Sequence, residues 1–485
     1  MAQHSESITG GLSSILKFPT ISGGATSADA GETDNYPRAV ENCMNFLREE
    51  AEKMGLSWRN HANRVAVIQF GPDDMPFVGL PVHIDVVPPG DGWTHDPFGG
   101  VVENGAIWGR GSQDNKCAVI QMLWALATLK AINKPLVRGA RIIAGTSEET
   151  GDWSDLDLYH NAEPQPEMSI VPDALFPIIV GEKGVMNVRV VAELPGDTGG
   201  FAGEYRFARA SAGERANIVP CNAQLCFAGA PSLDPAPLEN ELKRFLDRNA
   251  GASALFSRNP DNGEVIITFA GKNAHGSMPE AGHNAALDLL LFMTQSGFVS
   301  DDEADVAQFL YDCGNDFSGD RLGIASTHPF IGPTTVNLGI LKWRAGEQAD
   351  VIFNIRNTMG LAYDDALRHI NDAVEEFSDE TGFDMTARSE SKMYNAIYTD
   401  PQEHTEFIDA LKEAWSAFTG REAALAAIGS TTYAKAFPDA VNFGPLDPEE
   451  APELAHMANE HVTIDHHLRN VKIYAYALTK LCTQS

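Results

Sequence analysis

The chain has 485 residues, with 67 acidic against 35 basic side chains and a formal net charge of −32. That length exceeds what one core sustains and predicts two domains, while the negative field works against nucleic acid and anionic membranes as partners. No apolar run approaches a membrane span, and the acids are spread along the chain, as on a solubilising surface, not gathered in a tail. The start, Met1-Ala2-Gln3-His4-Ser5-Glu6, lacks a basic segment followed by an apolar one, so a cytoplasmic address is expected. Cys43, Cys117, Cys221, Cys226, Cys313 and Cys482 form no CxxC pair and are read as reduced and buried, with no disulfide or thiolate metal site.

Apolar spacing near three and four predicts helices over 9–17 and 37–54. Strands follow at 65–70 and 77–84. A helix capped by Asp114 is expected over 115–130, then short strands at 141–144 and 168–171. Strands alternating with helices predict an α/β fold with a mostly parallel sheet and helices on both faces. After Gly184 the pattern changes. Residues 185–191 alternate as a half-exposed strand, and further strands are expected at 264–270, 335–341, 350–355 and 384–389. Helices fall at 237–248, 283–295 and 361–378, which suits an antiparallel sheet with one wet face. From about residue 400 the first pattern returns, with helices over 403–419 and 469–481. The expected organisation is a discontinuous α/β domain, 1–184 and 390–485, with an inserted α+β domain over 185–389.

His83-Ile84-Asp85 closes the 77–84 strand, so the histidine and the carboxylate share one strand face. A carboxylate there can hold a metal-bound imidazole in one tautomer. Alone the pair is weak. Three further segments follow in order: 109–116 with Asp114, Thr146-Ser147-Glu148-Glu149-Thr150-Gly151, and Val171-Pro172-Asp173-Ala174. Each lies just past a predicted strand or at a helix start, the edge where sites assemble in open α/β sheets. Histidine plus several carboxylates is a hard donor set suited to Zn2+, Mn2+ or Co2+. Adjacent Glu148 and Glu149 diverge, so one can bind a metal while the other takes a proton from water; alone, Glu-Glu is an ordinary solvated turn.

Together with Pro172-Asp173-Ala174-Leu175-Phe176-Pro177 and Gly181-Glu182-Lys183-Gly184, these segments resemble the M20 family of metallopeptidases, in its PepV-like dipeptidase branch, over nearly the whole chain. The resemblance implies two divalent ions, with Zn2+ favoured over Mn2+ or Co2+. It implies His83 and Asp173 on the first ion, Asp114 as the bridge, Glu149 and His456 on the second, Asp85 orienting His83, and Glu148 as general base. His456 is chosen from Ala455-His456-Met457-Ala458-Asn459-Glu460 over His461, His466 and His467, the last two being read as surface residues. Gly271-Lys272-Asn273-Ala274-His275-Gly276-Ser277-Met278-Pro279-Glu280 resembles the family's lid motif, with His275 stabilising the oxyanion. Asn217 and Arg356 resemble substrate-holding lid residues, and a guanidinium fork matches a terminal carboxylate.

Three departures stand out. Asn115 and Cys117 replace the family's frequent Asp and Gly around Lys116, and Gly429-Ser430-Thr431 replaces a glycine-richer turn. That turn is expected to meet the substrate carboxylate, with Ser430 and Thr431 narrowing or re-aiming the pocket. The stretch 447–453 is unusually acidic, either as solvated loop or as a bias against acidic substrates. The implied activity is metal-dependent hydrolysis of dipeptides, β-alanyl and D-alanyl ones included. A deacylase acting on N-acyl amino acids uses the same machinery, since fold does not decide substrate. A non-catalytic metal- or peptide-binding protein would need neither Glu148 nor His275. The large insertion resembles an internal substitute for a partner's lid, which favours a monomer over a homodimer.

Overall fold

The structure, a computed structural model, describes residues 4–22, 36–194 and 205–484. The chain divides into two compact units, Met1–Glu182 with Tyr398–Ser485, and Lys183–Ile397.

The first unit is organised by strands that are apolar along their whole length. Phe77–His83 and Gly139–Gly145 are buried at every position, the mark of strands covered on both faces. They run parallel, with Phe77 opposite Gly139 and His83 opposite Gly145. Met168–Val171 lies parallel on the other side of Phe77–His83, and Ala440–Asn442 lies parallel beyond it. The sheet is mixed, its central parallel strands flanked by antiparallel ones. Val65–Phe70 pairs antiparallel with Gly139–Gly145, and Ser57–His61 pairs antiparallel with Val65–Phe70. The last two form a hairpin whose turn places Ala62 and Asn63 at φ 55° and 54°, the left-handed pair that suits twisted hairpins. Ala62 is an uncommon residue there, so the sequence carries little signal for it.

Helix Lys116–Ile132 is buried nearly all round, as expected of a helix without a polar face, and packs against Ile464–Cys482. That packing corrects the reading of His466 and His467 as surface residues. The closing helix starts at Ile464, with Thr463 accepting a capping bond from the His466 N–H, so both imidazoles lie in its buried first turn. His466 Nε2 bonds the Pro445 carbonyl at 2.8 Å, and His467 Nδ1 meets Gln121 Nε2 at 3.0 Å. Burial lowers both pKa values, that of His467 to about 3. Asp114 is not the helix cap either: the cap position is Asn115, which makes no side-chain capping bond. Five of the six cysteines are buried; Cys221 is half-buried.

The second unit carries an eight-stranded sheet in the order Ser253–Arg258, Val265–Ala270, Asn222–Ala228, Arg206–Ala212, Thr335–Arg344, Gln348–Arg356, Met186–Glu193, Asp384–Ser389. Every neighbouring pair is antiparallel. Met186–Glu193 alternates buried and half-buried positions, the period-two pattern of a sheet with one covered face. Helices Ala236–Arg248, Ala285–Ser296, Asp301–Asn315 and Tyr363–Thr381 contribute their apolar stripes to that core. Among the described residues no helix is long and apolar enough to cross a membrane.

Candidate metal centre

Three parallel neighbours in the first unit end at one edge of its sheet, and each delivers acid or imidazole there. Phe77–His83 ends on His83, Gly139–Gly145 leads into Glu148 and Glu149, and Met168–Val171 leads into Asp173. His83 is fully buried. Its Nδ1 lies 3.0 Å from the Asp85 backbone oxygen and 3.3 Å from Asp85 Oδ1. The other two-residue partner, Asp85, is also fully buried and accepts from the backbone N–H of Glu148 at 3.3 Å and of Glu149 at 3.1 Å. Asp85 thus ties the imidazole to the turn that carries both glutamates. With Nδ1 occupied, His83 turns Nε2 outward, 3.0 Å from Asp114 Oδ1 and 3.4 Å from Asp173 Oδ1.

Asp114 has a second oxygen, and it faces a second imidazole. Oδ2 lies 3.1 Å from His456 Nε2, which is also 3.2 Å from Glu149 Oε2. Two triads, His83–Asp114–Glu149 and His83–Glu148–Asp173, each bring their ligand atoms within 4.8 Å of one another. His456 sits on an exposed loop at φ 64°, in left-handed conformation. What places it is a ladder: His461–Thr463 pairs with Ala106–Trp108, and the Gly109 N–H donates to the Glu460 carbonyl at 3.0 Å.

Burial and crowding decide the charges. Burial first, then the Asp173 charge, raises Glu148 well above its ordinary value, and burial with the Asp114 charge raises Glu149. Burial pushes Asp173 up to about 7 despite the nearby His83. Asp114 goes the other way: burial opposes its charge, but hydrogen bonds from His456 and His83 outweigh it. His456 is raised to about 11 by its bonds to Asp114 and Glu149. Four carboxylates gathered around two imidazoles make a nest of negative charge and hard donors. Two divalent cations fit it: the imidazole Nε2 atoms face the two oxygens of one carboxylate, and each imidazole has a further acid beside it.

The second unit brings its own predicted residues together. The Gly276 N–H donates to the Asn217 carbonyl at 2.7 Å, and Ile218 bridges His275. Arg356, buried at the end of Gln348–Arg356, donates from Nε to Asn354 Oδ1 at 3.1 Å, and burial lowers its pKa to about 10. The Gly429-Ser430-Thr431 turn belongs to the first unit. Ser430 is exposed there, while Thr431 Oγ1 is buried and unbonded among the described residues. The next residue, Thr432, anchors the turn, its hydroxyl donating to buried Glu182 at 2.6 Å.

The model of peptidase family M20/M25/M40 matches residues 79–480. This chain belongs to that family. It is 30% identical over 472 residues to a Bacillus subtilis (strain 168) relative named as a dipeptidase, YtjP, covering 96% of each chain. It is likewise 30% identical to the Beta-Ala-Xaa dipeptidase of Lactobacillus delbrueckii subsp. lactis over 454 residues, which are 93% of this chain and 91% of that one. The crystal structure of human carnosine dipeptidase 1 shares the fold at TM-score 0.55 and 12% identity, covering 99% of this chain and 97% of the other.

Within this M20 chain, several residues that hold the site carry no sequence-level prediction. Glu460 is fully buried. It pairs with Arg110 at 2.6 Å and accepts from the backbone N–H of Gly111, Gln113 and Asp114 at 3.1, 2.7 and 3.2 Å. One carboxylate therefore locks the Asp114 loop to the His456 loop. Asn115 donates to Asp173 Oδ1 at 2.8 Å and to the Pro172 carbonyl at 2.6 Å, so the departure from aspartate supplies a donor to an acid of the cluster. Buried Asp155 accepts from the N–H of Thr146 and Ser147 and from the Tyr433 hydroxyl, bracing the strand end before Glu148. In the acidic stretch, Asp447 and Glu450 pair with Arg421 and Arg469, and Glu449 pairs with Arg421. The only sequence signal for Glu460 is its place four residues after His456.

Proposed function

We propose that this chain hydrolyses dipeptides, β-alanyl dipeptides among them, with two divalent ions, Zn2+ in preference to Mn2+ or Co2+. The carrying observation is Asp114, whose two carboxylate oxygens face two separate imidazoles, His83 and His456. The 30% identity to a Beta-Ala-Xaa dipeptidase over 93% of the chain supports the substrate class. The residues that would hold the ions are His83 and Asp173 on one side, His456 and Glu149 on the other, and Asp114 between them. When bound, such ions act as Lewis acids and lower the pKa of water towards neutrality.

The rest of the chemistry belongs to the chain. Glu148 lies in the cluster, and burial raises its proton affinity. It takes a proton from the attacking water and returns it to the leaving amine. Asp85 keeps His83 in the orientation with Nε2 outward. His275 donates to the developing oxyanion, Asn217 and Arg356 hold the substrate, and the Gly429-Ser430-Thr431 turn meets its carboxylate. Lys183–Ile397 acts as the lid, Met1–Glu182 with Tyr398–Ser485 as the catalytic domain. A cytoplasmic monomer is part of the same reading, the monomer resting on the size of the inserted unit, Lys183–Ile397. Metal analysis with turnover on β-alanyl, D-alanyl and acetylated substrates tests it. Faster turnover of acetylated amino acids than of any dipeptide would contradict it.

A further inference from the structure

His275 has a ring whose tautomer its own backbone dictates. The Ser277 N–H donates to His275 Nδ1 at 3.2 Å, and Ser277 Oγ lies 2.7 Å from the same nitrogen. A backbone amide only donates, so Nδ1 carries the lone pair, and in the neutral ring the proton sits on Nε2. The serine hydroxyl then rotates to donate as well. Partial burial, followed by the Arg356 charge, lowers the His275 pKa, so the neutral ring prevails at neutral pH.

The surroundings hold this arrangement. Ser277 is buried, and its carbonyl accepts from Thr335 Oγ1 at 3.2 Å. The Val219 N–H donates to the Ala274 carbonyl at 2.9 Å, fastening the segment on its other side. Gly276 allows the close approach: a Cβ there would sit 2.9 Å from Asn354 Oδ1 and 3.0 Å from the Asn217 backbone.

We propose that Ser277 is a positioning residue that fixes His275 as the Nε2–H tautomer, so that the ring presents a hydrogen-bond donor, and not a base, to the carbonyl oxygen of the substrate. The catalytic half rests on the hydrolase reading above. The tautomer itself does not, which keeps the two separable. A base at this position would need the lone pair on the outward nitrogen. The Ser277 amide holds it on the inward one.

The test joins 15N NMR of the zinc-loaded full-length protein, labelled at histidine, with kinetics on a β-alanyl dipeptide. Ring signals lost in His275→Gln assign the residue. We expect a protonated Nε2 and an unprotonated Nδ1 in the unmodified protein. Ser277→Ala keeps the backbone N–H that sets the tautomer and removes only the hydroxyl donor, so Nε2 should stay protonated while the Nδ1 signal shifts and kcat falls about tenfold with KM nearly unchanged. His275→Gln, which keeps an N–H donor but cannot move a proton, should retain far more activity than His275→Ala. A protonated Nδ1 would overturn the proposal, as would ring signals and kcat unmoved in Ser277→Ala, or His275→Gln as inactive as His275→Ala. Absence of turnover on every dipeptide, with the expected NMR result, would overturn the hydrolase reading and the catalytic half alone.

Discussion

The two units build their functional clusters by opposite means. In the first, strand topology does the work: three parallel neighbours end together, and His83, Glu148, Glu149 and Asp173 follow from their last residues. His83 is buried, the acids beside it are half-buried, and buried Asp85 and Glu460 tie the cluster from behind. In the second, the sheet is antiparallel throughout, and His275 and Asn217 stand exposed on turns laced to each other by backbone bonds. A buried cluster of charges demands partners for every group, whereas a turn site needs only local donors. Substitutions at the residues that brace the first unit's cluster should therefore be costly to structure, and those at the turn residues of the second should cost structure little.

The largest contrast should come from Glu148→Gln, which removes the proposed base without removing a proposed ligand. We expect kcat to fall by a factor on the order of 100 to 10,000, with metal content by elemental analysis unchanged. Glu460→Ala leaves the Arg110 guanidinium buried and unpaired, a change that costs about 3–5 kcal/mol. Denaturant unfolding should register that loss together with weaker metal retention. A near-neutral result would break the idea that the first unit is braced from behind.

Acid should also separate the units. His467, buried and neutral, has its pKa lowered to about 3, while the unfolded value is near 6.5. The unfolded chain then binds more protons as pH falls from about 6.5 towards 3, so stability is lost through that window. His467→Gln should keep the first unit folded further into acid, as circular dichroism against pH would show. Asp85→Ala should weaken metal binding by about 10- to 100-fold, read by titration into metal-free protein. At the bottom of the scale, Leu255 is exposed on the edge strand Ser253–Arg258, and Leu255→Lys should change unfolding free energy by less than about 0.5 kcal/mol.

The same contrast explains what was legible in the sequence. Apolar runs ending in acids placed His83, Glu148, Glu149 and Asp173, because a parallel strand and its following loop are contiguous in sequence. The Ala455–Glu460 string singles out His456 only through its resemblance to the family. The role of Glu460 was hidden, since its partners are Arg110 and backbone amides some 350 residues away. The burial of His466 against the Pro445 carbonyl and of His467 against Gln121 comes from tertiary packing, which no local period reports. Helix Asp301–Asn315 has no counterpart among the predicted elements, although Ser300 and Glu303 of its capping box stand at the signal spacing.

Most directly at issue is whether Asp114 lies between two ions. Isothermal titration of Zn2+ into the metal-free protein, repeated on His456→Ala, measures it. Two ions per chain are predicted for the unmodified protein and one tight ion for His456→Ala; a single ion in the unmodified protein, or two undiminished sites in the variant, would contradict it.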